Sequence, residues 1–136
     1  MPLPRLTREF VQAHRTREID GVPLPTDEQF EMPEKVLQFG SGRLLRGFVD
    51  YFVDKANRNG VFGGRVVIVQ STGAHRSEIL NAQDGMFTVC IQGLEDGEPV
   101  QRYEVLSSVS RAIPARQDWH AVLELARSPE LSVVVS

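Results

Sequence analysis

The stretch VLQFGSGRLLRGF at residues 36–48 is the feature that most limits how this chain can fold. An apolar run reaches Gly40 and Gly42, and a helical pattern begins directly after them. The next apolar run, RVVIVQ at 65–70, is rich in β-branched residues and does not alternate, which is typical of a strand buried on both faces. Residues 36–70 therefore predict a βαβ unit with two parallel strands and a right-handed crossover.

The helix of this unit has a clear apolar periodicity. Its spacing of i, i+3, i+4, i+7 and i+11 predicts one buried face, formed by Leu45, Phe48, Val49, Phe52 and Ala56. The opposite side is expected to face solvent and carries Asp50, Asp54, Asn57 and Arg58. Asn59-Gly60 is typical of a helix end.

The two glycines at the junction of strand and helix suit a bound phosphate group. Gly40 allows a sharp reversal of the chain, and Gly42 has no side chain to keep an anion from the backbone. The helix N-terminus adds unpaired N–H groups. Arg43 and Arg46 oppose the helix dipole by up to about 1 kcal/mol each, a cost that a bound anion reverses.

The glycine pattern is incomplete, and two interpretations stay equally open. The third glycine of G-x-G-x-x-G is replaced by Leu45, and the second strand ends in Gln70 without a following carboxylate. Gln70 is able to hydrogen-bond a ribose hydroxyl, but it does not discriminate NAD from NADP. Dinucleotide binding and a purely structural turn are therefore alternatives at this point.

The flanking segments predict an extension and an inserted hairpin. Residues 1–33 carry five of the eight prolines and predict an extension over the domain, with one amphipathic helix and an extended connector. The runs at 86–93 and 99–110 predict a β-hairpin around LEDGE. A helix capped by Asp118 follows, with an expected buried side of Trp119, Val122, Leu123 and Ala126. A last strand, of the buried type, is predicted at 131–136.

Composition excludes several classes of function. The net charge of -3 argues against a general affinity for nucleic acid or anionic membranes. The chain has neither an apolar run long enough to cross a bilayer nor a secretory signal. Its single cysteine, Cys90, is expected to be a buried, inert thiol, which fits a cytoplasmic protein. No metal site is predicted, because no ligand cluster has suitable spacing.

Several segments together resemble a known family. VLQFGSGRLLRGFVDYFVDKAN resembles the N-terminal signature of the mannitol dehydrogenase family of long-chain polyol dehydrogenases, and is most similar to its tagaturonate reductase (altronate oxidoreductase) branch. The segments VVIVQSTG, LNAQDGMFTVCIQGLEDGE, VLSSVSRAI and SPELSVVVS follow in the family's order. The resemblance covers residues 34–136, roughly three quarters of the chain. Arg43 departs from the family pattern, which usually has asparagine there.

The resemblance implies a fold and a set of cofactor contacts. The expected fold is α/β, a Rossmann-like, mostly parallel sheet over 34–136 with an inserted β-hairpin, incomplete at the C-terminus. The implied cofactor is NAD. The implied binding residues are Phe39, Gly40, Ser41, Gly42, Arg43, Leu44, Leu45 and Arg46 at the pyrophosphate, Gln70 near the adenosine ribose and Ser136 towards the nicotinamide.

The resemblance also implies an activity without supplying its catalytic residues. The implied reaction is oxidation of D-altronate by NAD to D-tagaturonate and NADH, in hexuronate or polyol metabolism, with a sugar acid or polyol as the small-molecule substrate. The family's proton-transferring lysine lies in a helical C-terminal domain, which this chain lacks, so no catalytic residue is predicted. The alternatives are a nucleotide-binding module without redox chemistry and an inactive fragment.

Overall fold

Four parallel strands form the central sheet in a computed structural model of the chain, which describes residues 2–14, 16 and 18–136. The strands are β1 (Glu18–Ile19), β2 (Val22–Pro23), β3 (Glu34–Phe39), β4 (Arg65–Gln70), β5 (Phe87–Glu95), β6 (Glu98–Leu106), β7 (Val109–Pro114) and β8 (Val133–Val135). The helices are α1 (Arg8–Ala13), α2 (Asp27–Phe30), α3 (Arg43–Leu45), α4 (Tyr51–Arg58), α5 (His75–Asn81) and α6 (Trp119–Ala126). A π-helical turn, Arg46–Asp50, joins α3 to α4.

The central sheet has the strand order β7-β4-β3-β8, and every neighbouring pair is parallel. All six residues of β4 are buried, because the strand is covered by neighbours on both edges and by helices on both faces. The carboxyl ends of β3 and β4 lie at the same edge, directly before the glycine turn. The predicted α/β fold with a mostly parallel sheet is confirmed.

Two apolar clusters cover the two faces of this sheet. Val36 and Ile68 point to one face, where Tyr51 of α4 and Leu80 of α5 pack against them. Leu37 points to the other face, which α6 covers. The glycine turn thus lies between the packed sheet and the helix that covers one of its faces.

The helix after the glycine turn has the opposite orientation to the one predicted. Asp50 and Asp54 are completely buried, whereas Phe48 and Phe52 are 59% and 55% exposed. The π-helical turn shifts the register of the helix, so one periodicity does not describe all of it. The carboxylate of Asp54 is tolerated because the amide of Ser107 and the side chain of Arg58 donate to it. The carboxylate of Asp50 has the side-chain amide of Gln38 as its donor.

The predicted hairpin is confirmed as the antiparallel pair β5–β6. Its two-residue turn, Asp96-Gly97, has φ angles of 52° and 85°, as the type I′ geometry of tight hairpins requires. The second strand ends at Leu106, however, and not at residue 110. The following residues open β7, which joins the central sheet instead of the hairpin.

The N-terminal segment lies on the domain, as expected, but it is not an extended connector. Val11 of α1 and Phe30 of α2 pack with Met86 and Val105 in a third apolar cluster. The short hairpin β1–β2 and the helix α2, which starts with a capping box at Thr26, replace the predicted extended connector. The boundary of a separate extension at residue 33 stays a prediction.

Other expectations about burial were wrong. In α6, Val122 is buried but Trp119 and Leu123 are half exposed, because Leu125 fills the second position against the sheet. Cys90 is exposed, because most of the hairpin projects into solvent. In β8, Val134 is 60% exposed, since β8 is an edge strand of the central sheet and has a neighbouring strand on one side only. No helix within residues 2–14, 16 and 18–136 is long and apolar enough to span a membrane.

Candidate functional site

The glycine turn lies at the carboxyl end of β3 and is tied to the neighbouring strand. The amide of Gly40 donates to the carbonyl of Val69 at 2.9 Å. Gly40 has a φ angle of +120°, and a Cβ placed on it would lie 3.0 Å from Cδ1 of Leu45. Glycine suits position 40 mainly because of this positive φ angle, and the tight approach of Leu45 adds to the cost of a side chain there.

The backbone amides that follow are free to bind a ligand. Gly42 precedes the helix in an extended conformation, and its carbonyl accepts from the amide of Arg46 at 3.2 Å. Within the described part of the chain, no acceptor is found for the amides of residues 41–45. A Cβ on Gly42 would meet no atom within 4 Å, so the space beside this turn is open. This arrangement suits an anion at a helix N-terminus.

Three arginine side chains concentrate positive charge at the turn. Burial lowers the pKa of Arg46, and the positive charges of Arg76 and Arg43 lower it further, against the opposing effect of Asp50. The guanidinium of Arg46 also lies over the ring of Phe87, 5.6 Å from its centroid. An anion between these groups would relieve their mutual repulsion.

A buried polar pair lies directly under the turn. The side-chain amide of Gln38 donates to the carbonyl of Gly40 at 3.2 Å and to Oδ2 of Asp50 at 3.3 Å. Both side chains are completely buried. Burial raises the pKa of Asp50 to about 7, against the lowering effects of Gln38 and then of Arg46. Sequence patterns missed this pair, because periodicity assigned Asp50 to the solvent side of the helix.

Gln70 lies at the end of β4, where it binds the following loop. Its Oε1 accepts from the amide of Ser77 at 2.7 Å and from the Ser77 hydroxyl at 2.6 Å. Its Nε2 donates to the carbonyl of Thr72 at 2.8 Å. These bonds order residues 71–77, which carry Arg76 close to the turn. The expected contact of Gln70 with a ribose stays a prediction.

The remaining expected site residues take different positions around the turn. Phe39 packs against the cluster under α6, and Leu44 is 79% exposed. Ser136 follows β8, whose Val135 pairs with Gln38 of β3. Because β8 and β3 are parallel, Ser136 lies at the same sheet edge as the glycine turn. The structure therefore brings Ser136 to the edge that carries Gly40.

Lys35, Lys55 and Arg111, which lie away from the turn, have structural partners. Lys55 pairs with Glu104 at 2.7 Å, and Lys35 donates to the carbonyl of Phe62. Arg111 forms two bonds to the carboxylate of Glu34, at the start of β3 and away from the turn. Among the residues that the structure describes, no group of three His, Cys, Asp or Glu is placed to hold a metal ion.

Comparison with known proteins gives a consistent set of relatives. The chain is 45% identical over 108 residues to the altronate oxidoreductase of Halalkalibacterium halodurans and 42% identical over 110 residues to that of Bacillus subtilis. These matches cover 78% and 81% of the chain but only 21% and 23% of the relatives. The chain thus spans about a fifth of the length of the curated relatives that it matches.

Solved structures share the fold. A ternary complex of Pseudomonas fluorescens mannitol 2-dehydrogenase with NAD and D-mannitol superimposes with a TM-score of 0.80 at 21% identity, over 98% of the chain and 26% of that protein. A substrate-free D-sorbitol dehydrogenase superimposes with a TM-score of 0.77 at 20% identity, over 96% of the chain and 26% of that protein. No family model matches the sequence.

Proposed function

We propose that this chain, a homologue of the altronate oxidoreductases in the mannitol dehydrogenase family, forms the first part of the NAD-binding domain of a dehydrogenase acting on a CH–OH group. The observation that carries the proposal is the glycine turn at the end of β3. Its free amides and three neighbouring arginines form a site for a diphosphate. The NAD in the mannitol 2-dehydrogenase complex, a protein of the same fold, supports the identity of the cofactor.

The proposed contacts follow the geometry of the turn. The amides of Ser41 to Leu45 bind the pyrophosphate oxygens, and Arg43 and Arg46 balance its charge. The loop that Gln70 orders lies where a Rossmann domain receives the adenosine ribose. Ser136, at the same sheet edge, lies on the nicotinamide side. When bound, NAD accepts or supplies the hydride, and the residues of this chain hold it in position.

The proposed substrate is a sugar acid. The relatives' name, altronate oxidoreductase, supports altronate as the substrate. The proposed reaction is the oxidation of D-altronate by NAD to D-tagaturonate and NADH. We assign no catalytic residue to this chain, because the charged side chains described at the turn serve an anion and the described lysines have structural roles. The proposed location is the cytoplasm, where NAD-dependent sugar metabolism takes place.

The test is a Gly42→Asp variant of the 136-residue chain, titrated with NAD by calorimetry. The added carboxylate enters the open space beside the turn and repels the pyrophosphate, so we expect binding to weaken by about 100-fold or more. Gly93→Asp is the matched control, because Gly93 lies in the hairpin and also has no atom within 4 Å of an added Cβ. Equal NAD affinity in Gly42→Asp and Gly93→Asp would refute the proposal.

A second candidate is a nucleotide-binding module without redox chemistry. It is favoured by one observation: the free amides and the arginines at the turn suit phosphate groups, which ADP-ribose carries as well as NAD. Titration with ADP-ribose beside NADH separates the two. A preference for NADH supports the dehydrogenase, whereas equal affinities favour the module.

A further inference from the structure

We propose that Gln38 and Asp50 are positioning residues of the nucleotide site, because together they orient the peptide group that presents the Ser41 amide to a diphosphate. The proposal rests on the proposed function, since it concerns the same turn. It adds two buried residues that do not touch the nucleotide themselves. Three features of the structure carry it.

The first feature is the orientation of the peptide between Gly40 and Ser41. The Gly40 carbonyl points inward, where it accepts the side-chain amide of Gln38 at 3.2 Å. In a planar trans peptide the N–H group points in the direction opposite to the carbonyl. Because the described peptide bonds are trans, the amide of Ser41 points away from the side chain of Gln38. The hydrogen bond from Gln38 therefore fixes the direction of a binding group.

The second feature is the conformational freedom that this bond removes. Gly40 has a φ angle of +120°, a region that glycine enters easily and also leaves easily. Its amide is held by the carbonyl of Val69, and its carbonyl is held by Gln38. With both sides of Gly40 anchored, the turn is preorganised before the nucleotide arrives. Preorganisation lowers the entropic cost of binding.

The third feature is an incompletely satisfied polar cluster behind the turn. Oε1 of Gln38, Oδ1 of Asp50 and Nε of Arg46 are buried and have no hydrogen-bond partner within residues 2–14, 16 and 18–136. Gln38 binds Asp50, and the charge of Arg46 acts on Asp50. The cluster thus links the inner side of the turn to an arginine that we place at the diphosphate.

This link makes nucleotide binding depend on the charge of Asp50. The groups facing it are Arg46 on its own helical segment, Gln38 on β3, and Ser108 after β6, whose hydroxyl donates to the Asp50 carbonyl at 2.7 Å. Of these only Arg46 is charged. An ionised Asp50 repels the diphosphate and attracts Arg46 away from it. A neutral Asp50 leaves Arg46 available, and burial brings the pKa of Asp50 to about 7.

The test measures NAD affinity of the 136-residue chain between pH 6 and pH 8 in the wild type, Gln38→Met and Asp50→Asn. We expect the wild-type Kd to rise about fivefold over this range, a coupling of ordinary size between two sites. Asp50→Asn mimics the neutral form and should show no such rise. Gln38→Met loses the anchor and should bind about tenfold more weakly at every pH.

Asp54→Asn is the matched control. Asp54 is equally buried on the same helix, but it bonds Ser107 and Arg58 and does not contact the turn. It should keep the wild-type Kd and pH dependence even where its thermal stability falls. A general loss of stability therefore cannot imitate the expected result.

The outcomes separate this proposal from the proposed function. If the wild type binds NAD and both variants keep its Kd and pH profile, the positioning role is wrong and the proposed function stands. If the wild type binds no dinucleotide, the proposed function fails and the positioning role fails with it. Should Gln38→Met not fold, the pH profile of Asp50→Asn decides: a profile that rises like the wild type's overturns the proposal.

Discussion

The carboxylate of Asp54 accepts a hydrogen bond from the backbone amide of Ser107 at 2.8 Å, although 53 residues separate them in sequence. Its other oxygen accepts from Nε of Arg58 at 2.6 Å, and Arg58 in turn donates to the carbonyl of Val105. Helix α4 is thereby fastened to the point where the chain leaves the hairpin and enters the central sheet. The position of helix α4 relative to the end of the hairpin therefore depends on buried polar bonds.

Replacement of Asp54 by alanine should destabilise the fold strongly. The change leaves the buried amide of Ser107 without an acceptor and Arg58 without its carboxylate, for an expected loss of about 3 kcal/mol in the free energy of unfolding. Urea denaturation measures the loss. Asp54→Asn retains one acceptor oxygen for Ser107 and should lose less. If Asp54→Ala unfolds at the wild-type urea concentration, the carboxylate does not fasten the helix.

The βαβ unit could be predicted from sequence because its signals are local. A β-branched strand at Arg65–Gln70, a glycine junction and an Asn59-Gly60 helix end are each contained in a few neighbouring residues. The face of the helix could not be predicted in this way. Periodicity assigns polar residues to solvent, whereas Asp54 is buried through a partner 53 residues away.

Two elements gave no usable signal in the sequence. Helix α5 is short and begins after Ala74, which has no side-chain oxygen to cap it. Strand β7 continues an apolar run from the hairpin, so the boundary at Ser107 and Ser108 is invisible to a strand pattern. Both serines are buried and bond to the helical segment that contains Asp50 and Asp54. The chain leaves the hairpin and enters the central sheet at these two residues.

The candidate site was predictable in its outer part only. A bound phosphate needs a backbone that it can approach closely and a positive charge nearby, and these requirements pointed to Gly40, Gly42 and Arg46 in the sequence. Gln38 and Asp50 contribute from below the turn, and nothing in their spacing of 12 residues indicates a bond between them. Sequence patterns therefore predict the residues that contact a ligand, but they do not predict the buried residues that hold those residues in place.

Gly85 should not tolerate a side chain. It has a φ angle of +77°, and an added Cβ would lie 2.2 Å from the carbonyl oxygen of Val109. Since that oxygen belongs to the backbone of β7, a strand of the central sheet, Gly85→Ala should cost about 3 kcal/mol or more by thermal or urea unfolding. Gly97→Ala is the matched control, because Gly97 has a φ angle of +85° with no atom within 4 Å. Equal losses in the two variants would show that strain, not contact, is decisive.

Arg65 should be replaceable neither by methionine nor by lysine. Its guanidinium donates to the carbonyls of Phe30, Ser107 and Val109, and so joins the N-terminal segment to the sheet. Arg65→Met leaves these buried carbonyls unpaired and should lose about 3 kcal/mol in the free energy of unfolding. In Arg65→Lys all hydrogen-bond donors are on one nitrogen, which does not reach three separate carbonyls, so this variant should recover less than half of the loss. Wild-type stability of Arg65→Lys would contradict this geometry.

Cys90 should react with thiol reagents in the folded protein. It is exposed on the hairpin and is the only cysteine of the chain, so the measurement is unambiguous. We expect one thiol per chain to react with a disulfide reagent in buffer, at a rate within about tenfold of the rate in denaturant, because access to the sulfur is open. Modification that begins only on addition of denaturant would instead place the thiol in the interior.

Asp50 should make the folded state less stable as the pH rises. Burial raises the pKa of its carboxyl in the folded state to about 7 from an ordinary value of 3.8. Between these values the folded state keeps a proton that the unfolded state has released, so the contribution of Asp50 is fully favourable below pH 3.8 and is lost as the pH rises through 7. The integrated effect is on the order of 4 kcal/mol.

Asp50→Asn isolates this contribution, because all other titrating groups are shared with the wild type. Urea denaturation at intervals from pH 5 to pH 8 should show the stability difference between variant and wild type moving in favour of the variant up to about pH 7 and levelling off above it. Asp54→Asn serves as the control, since its buried carboxyl has a backbone amide and Arg58 as partners. If the Asp50→Asn difference is constant over this range, the carboxyl of Asp50 does not hold a proton near neutral pH, and the expected pH dependence of nucleotide binding loses its cause.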